Sequence, residues 1–379
     1  MTSPVSPPVS VADPVNAAIL AVSEDRIQGF HSEPFREIAD RSGIPLPVVL
    51  ERLQAMLEAG VIRRIRQTML ATNLAHGALV AWQVSPDRLH AAFDHMFLND
   101  PFSGHVVIRS TDGDTAGSNY RLWTTVKVPQ GYALQKHVDV LARRVGASAT
   151  RVMPARRLFA LGVGHVRRKE ILPGSRSEGP AAVTGTNIVR LSEEEWRVLE
   201  ALKRELTPQE VGERLWEHRA LESGLPLAQF CSVARRLTER GVVGRFSTFL
   251  EHVKELPTGE RVTRYNALFH WAVPAGRELD AGREVGRHHV LTHAYWREAG
   301  PEFRNVNIMA VAHGTDRDWL LAHKAAIDEH LAEAGIPVGY TNVFWGGRSE
   351  IKPSEISPSA YQAWCVANGI DPDEMREDK

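Results

Sequence analysis

The chain has 379 residues, with 45 basic and 46 acidic side chains and a formal net charge of -1, so no global field draws it to nucleic acid or to an anionic membrane. Its length suits about two to four domains, each with a sizeable apolar core. Cys231 and Cys365 are the only cysteines, which argues against a disulfide framework or a Cys-based zinc site and for a reducing compartment. The opening Met1-Thr-Ser-Pro-Val-Ser-Pro-Pro lacks the basic start and apolar run of a signal peptide, and no stretch approaches the length of a membrane span, so a cytoplasmic location is expected.

Residues 1–15, rich in Pro, Ser and Val, predict a disordered tail. Over 16–75 the pattern turns helical: Ala18–Val22, a short helix from Pro34, the turn Ser42-Gly-Ile-Pro45, then Val49, Leu50, Leu53, Met56 and Leu57 at three-four spacing. Gly60 suits a helix C-cap and Val61-Ile-Arg-Arg-Ile65 a wing strand, which together predict a winged helix-turn-helix. Residues 76–165 read strand, helix, strand, strand, helix, strand, with the last strand over Ala149–Val163; this is the order of a ferredoxin-like split βαβ unit. A polar linker is expected over 166–190.

The plan then restarts. Leu191-Ser-Glu-Glu-Glu195 supplies an N-cap and an acidic first turn. A second winged helix-turn-helix is expected over 191–260, disturbed by an insertion at Trp216–Gly224, and a second ferredoxin-like unit over 261–350. Residues 351–379 predict a tail with one short aromatic helix near Tyr361 and Trp364. Gly241-Val-Val-Gly-Arg-Phe246 repeats Gly60-Val-Ile-Arg-Arg-Ile65, and Trp271-Ala-Val-Pro274 echoes Trp82-Gln-Val-Ser-Pro86. A histidine four residues before an arginine occurs twice, as His105/Arg109 and His293/Arg297. The predicted fold class is therefore α+β, a tandem duplication in which each half is a winged helix-turn-helix followed by a ferredoxin-like βαββαβ domain.

A winged helix followed by such a sheet, with Arg63-Arg64 after the third helix, resembles the Lrp/AsnC class. Within it the chain is similar to the siroheme decarboxylases, the paired subunits of alternative haem and haem d1 biosynthesis. The wing Gly60–Ile65 carries the first likeness. Leu122-Trp-Thr-Thr-Val-Lys-Val-Pro-Gln-Gly131 with Pro154-Ala-Arg-Arg-Leu-Phe-Ala-Leu-Gly-Val163 resembles one subunit type. His293-Ala-Tyr-Trp-Arg297 with Asn307-Ile-Met-Ala-Val-Ala-His-Gly314 resembles the other, so the chain looks like a fusion of both. It departs from the family pattern at Arg121, where Asn is usual before Leu-Trp, and at Gly244, which replaces one wing arginine. The resemblance implies a carboxy-lyase that removes acetate carboxyl groups of siroheme to give didecarboxysiroheme.

That chemistry selects residues. A ring bearing many carboxylates needs guanidinium groups, which pair bidentately and stay charged, and an apolar slot. Arg63, Arg64, Arg109, Arg245 and Arg297 are the candidate clamps, with Tyr295 and Trp123 as candidate slot walls beside Trp296. Decarboxylation leaves a carbanion-like carbon that must gain a proton, and histidine suits the donor role. His293 and His313 are the catalytic candidates, with His105 the counterpart of His293. The same histidines admit a second role, ligation of the substrate iron by His293 or His313. No protein metal is expected; His288-His289 with His293 does not have a helical metal-ligand spacing and lacks Cys or acidic company. No cofactor beyond the iron tetrapyrrole is expected.

A DNA-binding regulator and a haem-binding non-enzymatic protein are the other readings. The first candidate recognition helix, Pro47–Glu58, carries one Arg and two Glu and begins Pro-Val-Val-Leu, which disfavours DNA. The two halves are expected to pair as an internal pseudo-dimer, with a further homodimer left open.

Overall fold

The computed structural model describes residues 7–162, 171–185, 187–251, 256, 258–259 and 263–378. In chain order the first half contains α1 (Pro14–Ser23), β1 (Ile27–Gln28), α2 (Pro34–Ser42), α3 (Leu46–Glu58), β2 (Ile62–Met69), β3 (Ala75–Gln83), α4 (Leu89–Leu98), β4 (Ser103–Ser110), β5 (Leu122–Pro129), α5 (Leu134–Val145), β6 (Ala149–Pro154) and β7 (Arg157–Leu161). The second contains α6 (Glu193–Lys203), α7 (Leu215–Glu222), α8 (Leu227–Glu239), β8 (Val243–Leu250), β9 (Tyr265–Ala272), α9 (Glu278–Val285), β10 (Leu291–Trp296), β11 (Ile308–Gly314), α10 (Arg317–Glu333), β12 (Tyr340–Ile351) and α11 (Pro358–Ala367). The α+β duplication read from sequence is present.

The chain divides in space differently from the way it repeats in sequence. Among the described residues, one compact unit gathers those of 7–70 and 189–264, and the other those of 71–162, 171–188 and 265–378. Both helix-turn-helix segments therefore form the first unit, and both ferredoxin-like segments the second. In the first unit β8 lies between β1 and β2, so the two wing strands pair with each other, Ile65 opposite Thr248. Asp13 caps α1 by accepting from the Val15 and Asn16 amides, and Ser192 with Glu195 forms a capping box on α6; such caps satisfy amides that a helix start leaves unpaired. Gly60 takes φ +72° just beyond α3, the left-handed position its missing Cβ allows.

Three expectations need correction in these segments. The tail is ordered from residue 7, because Val11 is 2% exposed and the Asn16 side-chain amide donates to the Pro8 and Ser10 carbonyls; residues 1–6 lie outside the described residues. The Trp216–Gly224 stretch is no disturbance: it is the body of α7, with Trp216 and Arg219 buried, and Pro208–Glu210 before it forms a single 3-10 turn. The linker is partly pinned, through bridges of Arg176 to His288 and of Thr184 to Leu158, although 163–170 and 186 lie outside the described residues, as does the expected start of the second ferredoxin-like unit near Arg261.

The second unit is built on one nine-stranded sheet in the order β6-β3-β5-β4-β12-β9-β11-β10-β7. Each run of four has the strand order of a ferredoxin-like fold, and β4 joins β12 across the halves. The single strand expected over Ala149–Val163 is broken at Ala155-Arg156: β6 pairs with β3 of its own half and β7 with β10 of the other. Two consecutive strands thus form the two ends of the sheet, so the sheet must curl until those ends nearly meet. One face packs on α4 and α5 through Trp82, Phe93, Leu122 and Leu141 and on α9 and α10 through Phe269, Trp271, Ile308 and Leu320. The other face encloses an apolar interior drawn from both halves, including Val107, Trp123, Met153, Leu268, Phe303 and Phe344.

The C-terminal helix α11 docks Tyr361 and Trp364 on Phe102, Val128 and Tyr132. Beneath it the Tyr361 hydroxyl lies 3.1 Å from His137 Nδ1, His137 Nε2 lies 3.4 Å from Asp100 Oδ1, and the Ser103 hydroxyl donates to Asp100. Burial alone would raise the Asp100 carboxyl, but His137, Ser103 and the Phe102 amide outweigh it and hold the group below its ordinary value. A depressed carboxyl contributes stability present above its unfolded value of about 4 and lost as pH falls through the folded value. The thermal midpoint is therefore expected to fall as pH drops below about 4, and less steeply in Asp100→Asn; parallel calorimetric profiles for the two proteins would refute this.

Candidate active site

The interior face of the second unit's sheet holds most of the polar residues singled out above. On β9, Ala267, Phe269 and Trp271 join the helix-side core, so the alternation of a strand turns Asn266, Leu268 and His270 to the interior. On β4 the same alternation carries His105, Val107 and Arg109 inward. On β10 a register shift between Leu291 and His293 inserts one extra residue, a β-bulge that re-aims side chains. Thr292 and His293, although adjacent in sequence, consequently meet on one hydrogen-bonded row.

That row runs over five neighbouring strands, β4, β12, β9, β11 and β10. Arg109 is 4% exposed; its Nη1 donates to the Phe344 carbonyl at 3.3 Å and its Nη2 to Asn266 Oδ1 at 3.1 Å. The intervening position on β12 is Gly346, in register with both Arg109 and Asn266, where an added Cβ would lie 3.2 Å from Asn266 Cβ. The missing side chain lets the guanidinium reach across that strand. Asn266 Nδ2 lies 3.1 Å from His313 Nε2, His313 Nδ1 lies 3.4 Å from Thr292 Oγ1, and His293 Nδ1 lies 3.0 Å from the same oxygen. Among the described residues no carboxylate pairs with Arg109, its Nε has no hydrogen-bond partner, and burial pushes its pKa down to about 9. A buried cation without an anion is costly to fold, and a carboxylate-bearing ligand would supply what is missing.

Arg297 stands at the repeated position. It is buried, donates to the Met153 carbonyl of the opposite half, and lies 4.5 Å over the Tyr295 ring; burial lowers the guanidinium pKa and raises that of the Tyr295 phenol. Tyr295 in turn stacks on His293, 6.0 Å between centroids at 14°. The repeated His-x-x-x-Arg pattern thus places each arginine against the fourth ferredoxin-like strand of the other half, Arg109 on β12 and Arg297 on β6.

The two rows are not chemically equal. Asn266 pairs with His313 on the second-half strands, and at the matching register of the first half Gly77 pairs with Lys127. His105 is already engaged, with Nε2 2.8 Å from the Ser349 hydroxyl. Beside it the Lys352–Ser354 segment passes so close that a Cβ on Gly104 would fall 2.2 Å from Ser354 Oγ. Trp123 is corrected from slot wall to core: it is fully buried, spends its indole N–H on the Tyr120 carbonyl at 2.7 Å, and packs on Phe303 and Phe344.

The remaining arginines belong to the first unit. Arg64 pairs with Glu205 at 3.1 Å, and Arg245 reaches the Glu24 carbonyl at 3.3 Å, with burial the main cause of its lowered pKa. Arg64, Arg66 and Arg245 gather within 6 Å of the Phe249 ring, and Arg63 is their neighbour on β2. Arg66, not singled out from sequence, has its pKa pushed down to about 10 by burial first and by Arg64 next.

Sequence reasoning also missed Asn266, Thr292 and His270. No motif marks the first two, since one is a single polar residue at the start of an apolar strand and the other faces inward only through the bulge. His270 is fully buried among Trp123, Phe303 and Phe344; burial, then Arg109 and Lys324, drive its pKa down to about 3, so it is a neutral interior residue. The histidines once weighed as a zinc cluster point elsewhere: His288 Nε2 lies 2.8 Å from His330 Nδ1 and His289 faces Ser175 and Ser177. Among the described residues no group of three or more such side chains is arranged to hold a metal ion, and no helix is long and apolar enough to cross a membrane.

Comparison with known proteins bears on the fold. Residues 30–63 match the model of the siroheme decarboxylase NirDL-like HTH domain, and residues 74–160 that of the AsnC-like ligand binding domain. A siroheme decarboxylase of Hydrogenobacter thermophilus is 26% identical over 308 residues, covering 79% of this chain and 84% of the relative. The crystal structure of the siroheme decarboxylase NirDL superposes with a TM-score of 0.64 at 20% identity, over 93% of this chain and 99% of the other. The same enzyme in co-complex with an iron-uroporphyrin III analogue superposes with a TM-score of 0.63, also at 20% identity and with the same coverage; at that identity both likenesses establish the fold. Wing, ligand-binding sheet and tandem order match those relatives, and together they support a likeness to the siroheme decarboxylase family.

Proposed function

We propose that this chain is a siroheme decarboxylase whose reaction centre is the row Arg109, Asn266, His313, Thr292 and His293. The observation that carries the reading is Arg109, a buried guanidinium with no carboxylate partner among the described residues, wired by hydrogen bonds to two histidines. Arg109 holds a carboxylate of the ring other than the one that leaves, because clamping the reacting group would stabilise the ground state and slow the step. The bond between an acetate methylene and its carboxylate breaks, the electron pair passes into the conjugated ring and carbon dioxide departs. The methylene carbon then takes one proton and becomes a methyl group. His293 delivers that proton, with His313 behind it through Thr292.

Two such events convert siroheme to didecarboxysiroheme with net uptake of two protons and no oxidant or added cofactor. Tyr295 and Arg297 flank His293 and complete the wall. The second half supplies the reacting histidines and the first half the Arg109 clamp, so the two halves work as an internal pseudo-dimer. His105 is the counterpart of His293 without a matching Asn–His pair behind it. Arg63, Arg64 and Arg245 are assigned to carboxylate binding in their own unit, where Arg64 and Arg245 must first exchange protein partners. Iron ligation by His293 is the alternative role for the same nitrogen. DNA recognition receives little support: α3 exposes Glu51 and Glu58 and ties Arg52 to Asp13 at 3.2 Å.

The test is anaerobic addition of siroheme to the purified chain, with the visible spectrum and the mass of the extracted pigment followed together, and His293→Ala and His313→Ala run alongside. The expected result is loss of two carboxyl groups that neither variant produces. Tight binding without mass change would replace the enzyme by a tetrapyrrole carrier, and absence of binding would remove the proposal.

A further inference from the structure

We infer that His288, His330 and Glu284 form a proton-operated latch, which holds the segment joining the two halves, residues 171–185, against α9 and α10 while both rings are neutral and releases it in mild acid. The latch belongs to the ligand-free protein and needs none of the chemistry assigned above. His288, just ahead of β10, and His330 on α10 are 2% and 5% exposed. His288 Nε2 lies 2.8 Å from His330 Nδ1, and His330 Nε2 lies 2.9 Å from Glu284 Oε2 on α9. Arg287 Nη1 donates to the same carboxylate oxygen at 2.6 Å. That guanidinium also reaches the joining segment, with Nε donating to the Ser177 carbonyl at 2.9 Å and Nη2 to the Glu178 carbonyl at 2.7 Å. Backbone bonds lie alongside: the Ser177 amide donates to the Arg287 carbonyl, the His289 amide to the Ser175 carbonyl and the Ala181 amide to the Arg283 carbonyl, each at 3.1 Å. His323, also on α10, lies with Nε2 3.1 Å from the Ile171 carbonyl at the start of the segment.

Matching donors with acceptors makes the closed form neutral. A carboxylate only accepts, so His330 Nε2 donates to Glu284, and His288 Nε2 donates to the lone pair left on His330 Nδ1. His288 Nδ1 then keeps its own lone pair, buried and with no hydrogen-bond partner among the described residues. A proton added there gives a buried N–H without an acceptor. A proton added to His330 Nδ1 gives the same result, because His288 must then move its hydrogen from Nε2 to Nδ1. Either state leaves a buried, unmatched donor, and two charged rings in contact repel. Arg176 from the joining segment, Arg287 just after α9 and His323 from α10 oppose a proton on the pair, while Glu284 from α9 and Glu333 from α10 favour one. Those two carboxylates already face arginines, Glu284 at Arg287 and Glu333 at Arg176. Burial is the first cause that pushes His288 down to about 3, with His330 next; burial also leads the lowering of His330 and His323. A histidine released into water has its ordinary value of about 6.5, so closure is fully favoured above about pH 6.5 and weakens as pH falls below it. β10 begins at Leu291, three residues after His288, and its register shift follows between Leu291 and His293. The latch thus stands at the root of the strand that carries Thr292 and His293.

The experiment is hydrogen exchange on the full chain without ligand, read by mass spectrometry at about pH 7.5 and about pH 5.5 and corrected for the intrinsic pH dependence of exchange. Peptides containing the Ser177, Ala181 and His289 amides are expected to lose about 100-fold or more in protection between those conditions, about tenfold for each of His288 and His330 as it takes up a proton on release. Peptides of α3 should hold their protection. His288→Gln and His330→Gln are each expected to reduce the loss by about tenfold, and the double variant to leave no more than the share of His323. Wild-type protection that does not change with pH overturns the latch, even if no variant folds, and so does a loss shared equally by α3, which would mean global unfolding. A folded double variant that keeps the full wild-type dependence overturns it as well. None of these outcomes involves tetrapyrrole turnover, so the siroheme experiment is decided separately.

Discussion

Arg109→Met is expected to lower kcat/KM for siroheme by about 100-fold or more, with a thermal midpoint within a few degrees of wild type. A hydrogen bond to a charged partner contributes about 1.5–3 kcal/mol, and about 1.4 kcal/mol corresponds to a factor of ten in rate, so loss of one good carboxylate contact reaches that scale. Folding loses less, because the guanidinium is buried with no carboxylate partner among the described residues and its pKa is already pushed down to about 9 by burial. A methionine of similar length removes the desolvation penalty, which offsets the two neutral acceptors left at Phe344 and Asn266. Steady-state kinetics beside a thermal melt decide the matter. An unchanged kcat/KM, or an activity loss that merely tracks a collapsed melting temperature, would remove Arg109 from the site.

The second large effect is an asymmetry between repeated residues. His293→Ala should reduce the rate of carboxyl loss by about 100- to 10,000-fold, the range of general acid catalysis, whereas His105→Ala should stay within a few-fold of wild type. Both histidines stand four residues before a buried arginine, but their surroundings differ. His293 is backed by Thr292, His313 and Asn266. His105 is bonded to Ser349 beside the closely packed Lys352–Ser354 segment. Single-turnover measurement of pigment mass against time would separate the two variants. Equal losses would mean that both halves carry out chemistry, and a larger loss in His105→Ala would move the reaction to the first half.

The sequence by itself determined the elements and their repetition. Three-four spacing in α3 and two-residue alternation in β10 are local signals, set by backbone geometry and by the need to bury one face, and the duplicated wing and His-x-x-x-Arg patterns follow from comparing the chain with itself. Those signals placed His105, His293, Arg109 and Arg297 on or near strands of a sheet, without saying which face they occupy. Only the tertiary structure decided which of them stand on one hydrogen-bonded row. The break at Ala155-Arg156 sends β7 to the other half of the sheet, the shift at Thr292 turns an adjacent residue onto the His293 row, and Asn266 joins Arg109 to His313 across strands far apart in sequence. Pairing partners, bulges and amide orientation depend on long-range register and on matching donors with acceptors. A pattern of residue types along one segment carries none of that information, which is why the row between Arg109 and His293 could be assembled only in three dimensions.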